Sequence, residues 1–246
     1  MRREEFLRIC AEENTSAHER TGIGTYMEKR LHIVLKRYTD DDPTHHEFPL
    51  LGYVADIFDG DTITEIQTGS LRPLNKKIKC YIDNTDYNVV VVCPIAKEKW
   101  MSWIDTDTGE AGKKRRSPKR GRESDILPEL YYLREFIPGG RLTLRLVMLK
   151  TEEYRMLDGW SRDKKKGSTR YERIPADIFD EIELRLPRDY AALIPEELGE
   201  KFTSADFARA ARLSKRKTGF SLGTLSALSL IERCGKDGNA YIYRRI

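Results

Sequence analysis

Apolar residues recur along residues 24–38 at the spacing of one face of an α-helix. The stripe consists of Met27, Leu31, Val34, Leu35 and Tyr38. The polar segment DDDPTHHEF at 40–48 interrupts the pattern, and we expect a solvated loop there that contains His45, His46 and Glu47. A ligand role for these three side chains is the alternative.

A DGD turn at 59–61 separates two β-rich runs, 49–58 and 62–68, and predicts a β-hairpin. Residues 74–81 predict a helix. The run NVVVVCPI at 88–95 is apolar and β-branched almost throughout, which is typical of a buried central strand. This order of elements predicts an α/β fold.

Charged and apolar segments alternate in the stretch that follows. Residues 109–124 carry seven basic side chains and predict an exposed, mobile loop. A helix is predicted over 125–137 and an alternating strand over 141–150. Residues 151–190 are mixed and charged, and we expect a connector there with a loop at 158–170.

The C-terminal segment, 191–246, combines several short elements. IPEELG at 194–199 predicts a short helix, residues 202–214 a second helix, and 220–231 a third one that follows a KRKTG turn. Two strands around a Lys-Asp-Gly-Asn turn come last. The order of helices followed by a hairpin resembles a winged-helix domain, in which the hairpin is the wing.

Charge is distributed unevenly over the 246 residues. The chain has 44 Lys and Arg against 40 Asp and Glu, a net charge of +4. From Lys201 onward there are 10 basic and 3 acidic residues, so this tail carries +7, and the 34 basic and 37 acidic residues before it leave −3. A nearly neutral body with a basic tail points to an anionic partner.

Several classes of protein are excluded by what the sequence lacks. There is no apolar run of the roughly 18–20 residues that span a bilayer, and no secretory signal is visible. The four cysteines form no CxxC pair, which predicts reduced thiols in a cytoplasmic protein. Neither a P-loop nor a GxGxxG motif is present.

Three short polar side chains stand in the predicted hairpin. Glu65 and Gln67 are two apart on one strand and share a face, and Asp56 falls close to the position opposite Glu65. Asp56 has apolar neighbours in the middle of a strand, where a charge is costly unless a partner or a metal meets it. A solvent-facing Asp56 is the alternative, and Asp59 and Asp61 are most simply turn residues.

The carboxylates of Asp56 and Glu65 and the backbone carbonyl of Ile66 are hard oxygen ligands of the kind that Mg²⁺ or Mn²⁺ prefers. Such an ion activates water and neutralises charge on a scissile phosphate. Glu28 flanks the helical stripe and is a further candidate, although a glutamate at a stripe edge is most often surface charge. The hairpin therefore predicts a site for Mg²⁺ or Mn²⁺.

The stretch VADIFDGDTITEIQTG, preceded by a helix that carries a glutamate, resembles the core of the PD-(D/E)XK nucleases. In that superfamily a strand with Asp, a turn and a strand with Glu-x-Lys follow the helix. The resemblance covers roughly residues 20–150. It implies a restriction-endonuclease-like αβββαβ core, with Asp56 and Glu65 as metal ligands and Glu28 as an auxiliary ligand.

Gln67 departs from the superfamily pattern, because it stands where a lysine often orients water or stabilises charge. Some members resemble this Glu-x-Gln form. Glutamine carries no charge, so Gln67 would only position water. A basic residue from elsewhere, Lys76, Lys77 or Lys119, would have to supply charge, and the sequence does not choose among them.

Two basic segments are predicted to bind nucleic acid, because clustered Lys and Arg neutralise phosphates. The loop contributes Lys113, Lys114, Arg115, Arg116, Lys119 and Arg120. The winged-helix segment contributes Lys215, Arg216, Lys217, Lys236, Arg244 and Arg245. The alternatives are a solvated charge run for the loop and protein contacts for the winged helix. Trp100 and Trp103 are candidates to stack a base or else belong to the core.

The sequence thus predicts a PD-(D/E)XK nuclease-like domain at 1–150, the charged connector at 151–190 and a winged-helix domain at 191–246. The predicted function is metal-dependent hydrolysis of nucleic-acid phosphodiester bonds, with DNA favoured over RNA as partner. A homodimer is compatible with that function. The main alternative is a catalytically inactive DNA-binding regulator or assembly factor. A winged helix for protein contacts on an enzyme that acts on RNA is a further one.

Overall fold

The computed structural model describes residues 2–19, 29–105, 108–156, 158 and 169–246. These residues form two compact units. The first unit draws on residues 1–46, 92–122 and 146–181, and the second on residues 47–91, 123–145 and 182–246. Among the described residues, no helix is long and apolar enough to cross a membrane.

Helices occur in both units. The α-helices are α1 (Arg3–Glu19), α2 (Lys29–Thr39), α3 (Leu74–Asn84), α4 (Leu127–Leu130), α5 (Ser204–Ala210) and α6 (Lys215–Ala227). The 3₁₀ helices are η1 (Pro43–His45), η2 (Glu123–Ile126), η3 (Ile137–Gly139) and η4 (Pro187–Leu193).

Strands form two sheets among the described residues. The strands are β1 (His46–Leu50), β2 (Tyr53–Phe58), β3 (Thr62–Ile66), β4 (Asn88–Ile104), β5 (Arg115–Arg116), β6 (Leu142–Met156), β7 (Thr169–Leu184), β8 (Lys201–Thr203), β9 (Ile231–Asp237) and β10 (Ala240–Arg245). The larger sheet has the order β1-β2-β3-β4-β6-β7, with β5 paired to β4, and the smaller one has the order β8-β10-β9. The expected α/β class is therefore confirmed.

Helix α2 buries the predicted apolar stripe in the first unit. Leu31, Val34, Leu35 and Tyr38 are each at most 2% exposed, whereas Met27 lies outside the described residues. The rings of Phe6 on α1 and Tyr38 on α2 meet edge to face with their centroids 5.1 Å apart. The two helices are thus joined by the residues that the 3.6-residue period selects.

The predicted hairpin is present as β2 and β3 in the second unit. The strands are antiparallel, with Ile57 opposite Thr64. At the turn, Asp59 Oδ1 accepts hydrogen bonds from the backbone N–H of Asp61 at 3.0 Å and of Thr62 at 2.7 Å. This Asx-type turn explains why the DGD sequence fixes the register of the two strands.

The prediction of a solvated loop over 40–48 is wrong at its end, because strand β1 begins at His46. This strand lies at the edge of the sheet beside β2. Its sequence, HEFPL, does not alternate, and Pro49 is tolerated there since an edge strand leaves some N–H groups without a ladder partner. Backbone φ angles of +52° at Leu51 and +79° at Gly52 turn the chain into β2.

The basic segment 109–124 is largely exposed up to Arg120, as predicted, whereas residues 121–123 are half-buried and Ser124 is buried, and the segment is not a loop throughout. Arg115 and Arg116 form β5, and Arg116 lies opposite Trp100 on β4. Gly121 donates its N–H to the carbonyl of Ala96 at 2.9 Å. A Cβ atom at Gly121 would lie 2.7 Å from that oxygen, so the close approach requires glycine.

A continuous helix over 125–137 was expected, and the structure instead has η2, α4, turns and η3. The apolar side chains follow a three-residue period: Leu127, Leu130, Leu133 and Phe136 are all buried. Backbone bonds from Leu133 to Leu130 and from Phe136 to Leu133 span three residues. A period of three suits the 3₁₀ geometry better than the α-helix, which explains the error.

The predicted connector 151–190 contains the end of β6 and all of β7, so much of its mixed sequence forms strands. The predicted loop 158–170 lies almost entirely outside the described residues. Within β6, Glu153 is 1% exposed and forms ion pairs with Lys99, Arg155 and Arg170. Charged residues are accommodated in this strand because cations from the sheet neutralise them.

The C-terminal elements are η4, β8, α5, α6 and the hairpin β9–β10. Thr203 caps α5, and Asp206 bonds back to its N–H at 3.0 Å. The short helix expected at 194–199 is absent, because Ile194 is extended before Pro195. The expected KRKTG turn is also wrong, since α6 already begins at Lys215.

Helix α6 packs against α4 within the second unit. The Phe220 and Tyr131 rings lie 4.8 Å apart, and the Thr224 hydroxyl donates to the carbonyl of Leu127 at 3.3 Å. Gly223 leaves space for Tyr131, whose ring would be 3.2 Å from an added Cβ. One face of α6 is therefore covered by the chain itself, while its first turn is exposed.

Candidate functional site

Asp56 on β2 and Glu65 on β3 are brought together by the hairpin. The antiparallel pairing of Ile57 with Thr64, continued by one residue, sets Asp56 opposite Glu65. Asp56 Oδ2 accepts a hydrogen bond from the backbone N–H of Ile66 at 2.7 Å. The backbone of β3 thereby holds one oxygen of Asp56 beside the strand that carries Glu65.

Glu65 is a buried carboxylate with two polar neighbours on α3. Its residue is 2% exposed. Lys77 Nζ lies 2.6 Å from Oε2, and the Tyr81 hydroxyl lies 3.4 Å from Oε1. Burial raises the pKa of Glu65 to about 7, while Lys77 acts in the opposite direction and the charge of Asp56 adds to the increase. The pKa of Tyr81 is also raised, by burial first and then by Glu65.

Lys77 supplies positive charge to this carboxylate. Its ammonium also donates to the carbonyl of Val54 on β2 at 2.8 Å, so it spans from α3 to the hairpin. Among the three lysines that the sequence leaves open, Lys77 is the one that the structure joins to Glu65. The preceding residue, Lys76, is exposed.

The side chain of Gln67 forms a hydrogen bond within the chain that the sequence does not predict. Its Nε2 donates to the carbonyl of Ser70 at 2.6 Å. The Ser70 hydroxyl in turn donates to Glu129 Oε2 at 2.7 Å, and the N–H of Leu71 donates to the same oxygen at 3.1 Å. Gln67 thus braces the loop between β3 and α3.

Glu47 is a neighbour of Asp56 that the sequence analysis assigns to a loop. It lies on β1, and an oxygen of its carboxylate is within 4.8 Å of one of Asp56. Its backbone φ of +52° is rare for a residue with a side chain. Such strain often accompanies a functional position. The sequence offers Glu47 as a ligand only as the alternative to a solvated loop, and it does not predict strand β1, which does not alternate.

Glu28 and Ile66 are the two remaining residues predicted for the metal site. Glu28 lies outside the described residues. Ile66 is 2% exposed and meets Asp56 through its N–H. The expected role of its carbonyl as a metal ligand stays a prediction.

The cations of the basic loop lie in the first unit and are exposed: Lys113, Lys114, Arg115, Arg116, Lys119 and Arg120. Lys114 pairs with Glu152 at 2.5 Å, and Arg116 pairs with Glu98. Pairing to the protein's own carboxylates reduces what these two cations offer to a phosphate. Trp100 and Trp103 both lie on β4 and are half-buried.

The C-terminal cations divide into two groups. Lys215, Arg216, Lys217 and Lys236 are exposed on α6 and β9. Arg244 instead pairs with Glu232. Arg245 donates to the carbonyls of Pro195 and Leu198, each at 2.8 Å. The last two arginines therefore bind within the chain.

One family matches most of the chain. Residues 29–185 match the family described as "Domain of unknown function (DUF8091)", which is more than half of the 246 residues. The chain belongs to the DUF8091 family. The DUF8091 match includes Asp56, Glu65 and Lys77 and ends before η4.

A relative extends beyond the DUF8091 region. An "Uncharacterized protein" of Treponema pallidum (strain Nichols) is 27% identical over 230 residues, which cover 91% of this chain and 87% of the relative. The unaligned 9% of this chain is shorter than the segment 186–246, so the aligned region must include part of the C-terminal elements. No solved structure matches this DUF8091 protein.

Proposed function

We propose that the protein is a metal-dependent hydrolase of phosphodiester bonds in nucleic acid, with DNA as the favoured substrate. The observation that carries the proposal is the combination of Asp56 and Glu65 on adjoining strands with the Lys77 ammonium 2.6 Å from Glu65. Two carboxylates on adjoining strands and a neighbouring cation are the group types that phosphodiester hydrolysis uses.

The order of elements around the carboxylates supports the resemblance to the PD-(D/E)XK nucleases. The sequence α2, β1, β2, β3, α3, β4 follows the αβββαβ pattern of that superfamily. Lys77 on α3 offers the charge that Gln67 lacks. The absence of lysine from the third motif position is thus compatible with activity.

The chemistry of the donor set fits Mg²⁺ or Mn²⁺. Asp56 and Glu65, with Glu47 next to Asp56, offer the carboxylate oxygens that hard divalent ions prefer. When bound, such an ion supplies an activated water and charge neutralisation. Lys77 keeps Glu65 partly ionised despite burial, and the Ile66 N–H orients Asp56.

We propose further that the C-terminal elements form a winged-helix module that holds the nucleic acid. The sheet order β8-β10-β9 and the helices α5 and α6 support this assignment. The interface would use Lys215, Arg216 and Lys217 at the start of α6 and Lys236 at the tip of the hairpin. Arg244 and Arg245 are left out because they bind within the chain.

Cleavage of plasmid and single-stranded DNA in Mn²⁺ by the full chain tests the proposal. Asp56→Asn is expected to reduce the rate by at least about 100-fold, since metal-site substitutions typically have effects of that order. Asp61→Asn is the matched control, because Asp61 lies at the turn of the same hairpin and is exposed. Equal cleavage by the wild type and Asp56→Asn, or none by either, contradicts the proposal.

A second function is a nucleic-acid-binding protein with a silent nuclease-like site. Two observations favour it: Lys77 already neutralises Glu65, and the amide of Gln67 is bound to Ser70. Calorimetry separates the two functions. Tight duplex binding without Mn²⁺ binding, or with Mn²⁺ binding that Glu65→Ala leaves unchanged, supports the silent site.

A further inference from the structure

A cavity of about 580 Å³ opens in the second unit, between the start of α3 and the turns after α4. Its volume lies in the roughly 300–1,000 Å³ range of ligand sites. The lining includes Arg72, Asn75, Lys76, Tyr131, Tyr132 and Arg134. Apart from Lys76, none of these residues stands out in the sequence.

Cations and aromatic rings alternate along the wall of this cavity. The guanidinium of Arg72 is 5.9 Å from the centroid of the Tyr132 ring, and that of Arg134 is 3.7 Å from the Tyr131 ring. Both tyrosines are half-buried. With Lys76 the cavity has three cations, against the single carboxylate of Glu135. The cavity is therefore suited to a flat ring that carries negative charge.

The protein holds this wall in place. Asn75 Nδ2 donates to the carbonyl of Tyr132 at 2.7 Å and so ties α3 to the tyrosine pair. The Tyr131 ring packs on Phe220 of α6, over which the guanidinium of Arg216 lies at 5.6 Å. A row of aromatic rings, each with an arginine guanidinium over it, therefore extends from the cavity to the basic first residues of α6.

The same wall is linked to the candidate catalytic residues by α3. Lys76 lines the cavity, and the next residue, Lys77, bonds to Glu65. The loop between β3 and α3 is fixed by the bonds of Ser70 and Leu71 to Glu129. The cavity and the candidate catalytic residues are therefore joined through consecutive residues of α3.

We propose that the cavity binds an unpaired nucleotide, with its base stacked on the ring of Tyr132 and its phosphates on Arg72, Lys76 and Arg134. The inference rests on the proposed function and names its substrate class as nucleic acid with a single-stranded segment. Stacking on aromatic rings beside a cationic groove is how proteins bind single strands. A paired base is excluded, because its faces are covered by neighbouring bases in the duplex.

Fluorescence anisotropy with a fluorescein-labelled 12-residue oligothymidylate, in EDTA and with the full chain, tests the inference. Tyr132→Ala is expected to weaken binding by about 10-fold, within the range measured for loss of one stacked base. Arg72→Ala combined with Lys76→Ala is expected to weaken binding to a similar extent and to reduce its salt dependence. Lys79→Ala is the control, because this exposed α3 lysine pairs with Asp83 and does not line the cavity.

Unchanged affinity in both cavity variants overturns the inference, as does an equal loss for a 12-base-pair duplex. Thermal unfolding checks that each variant is folded, and the two variants remove different groups.

Hydrolysis of bis(p-nitrophenyl) phosphate in Mn²⁺ separates this result from the proposed function, since so small a diester needs no strand site. Hydrolysis that depends on Asp56, with unchanged oligonucleotide affinity in the cavity variants, overturns the cavity inference alone. The expected loss of affinity without any hydrolysis supports the cavity and contradicts the proposed function.

Discussion

Glu65 in the second unit and Glu153 in the first are both almost fully buried, at 2% and 1% exposure, yet their carboxyl groups differ. Burial raises the pKa of Glu65 to about 7, and the like charge of Asp56 adds to the increase, while Lys77 opposes it. Burial acts on Glu153 as well, but Lys99, Arg155 and Arg170 together lower its pKa below the usual range. The difference shows that the number of cations around a buried carboxylate decides its charge.

This contrast distinguishes Glu153, a carboxylate that stabilises the fold, from Glu65, a carboxylate whose charge can change near neutral pH. Glu153 is ionised throughout the neutral range and pairs with one cation on each of three strands, Lys99 on β4, Arg155 on β6 and Arg170 on β7. Glu65 can change its protonation near neutral pH, which is a property of residues that transfer a proton. Substitution at each position should therefore have a different effect on stability.

The largest effect is expected for Glu153→Gln. Removing the carboxylate leaves Lys99, Arg155 and Arg170 facing one another, and breaking a buried ion network costs about 4 kcal/mol of unfolding free energy. Urea denaturation at pH 7 measures this loss. Glu152→Gln is the control, since its partly exposed pair with Lys114 should contribute less than about 1 kcal/mol. Equal losses in the two variants would contradict the contrast.

A smaller effect concerns pH and Glu65. Because its pKa is raised from the ordinary value of 4.5 to about 7 in the folded state, the folded state binds a proton that the unfolded state has lost, so stability falls as pH rises between these values. At about 1.4 kcal/mol for each pKa unit, the fall amounts to about 3 kcal/mol. Glu65→Gln should abolish this part of the pH dependence in EDTA. Urea denaturation at pH 5 and pH 8 tests it, and a pH slope identical to that of the wild type would contradict it.

The sign is opposite for Glu153. Its pKa is lowered in the folded state, so its contribution is present above the unfolded pKa and is lost as pH falls through the folded pKa. Acid titration of Glu153→Gln against the wild type gives the matched comparison.

The smallest effect is expected for Lys77→Met. At pH 8 the substitution removes the cation that favours the ionised form of Glu65, so the buried carboxyl takes up a proton, which should cost about 1–2 kcal/mol at about 1.4 kcal/mol for each pKa unit. At pH 5 Glu65 is protonated, so the cost should almost vanish. Denaturation of Lys77→Met and of the exposed neighbour control Lys76→Met at both pH values checks this, and a cost independent of pH would argue against an ion pair.

The sequence is informative where one physical signal dominates. The Asp-Gly turn and alternating runs identify β2 and β3, and the helical stripe identifies α2. By contrast, the helix predicted over 125–137 is broken after Leu130 by turns with three-residue hydrogen bonds, because a three-residue apolar period is easily confused with the 3.6-residue period of an α-helix. Strand β1 is missed because an edge strand with Pro49 has neither alternation nor a continuous apolar run.

The candidate site divides in the same way. Asp56 and Glu65 are identifiable because their hairpin is local, and a local turn fixes which residues lie opposite each other. The choice of Lys77 over Lys76 depends on which side of α3 faces β3, and that is decided by tertiary packing. The tyrosine pair and Arg72 meet through contacts between segments about 60 residues apart, for which no sequence spacing gives a signal.

Gly121 has a consequence for how mutational scans of the basic segment should be interpreted. Its Cα lies so close to the Ala96 carbonyl that any side chain forces the backbone apart, whereas the cations from Lys113 to Arg120 are exposed. Saturation mutagenesis should therefore find one intolerant position at the end of a tolerant run. A loss of function in Gly121 variants would result from displacement of the backbone segment around Gly121, and it would be easy to mistake for the loss of a contact with a ligand.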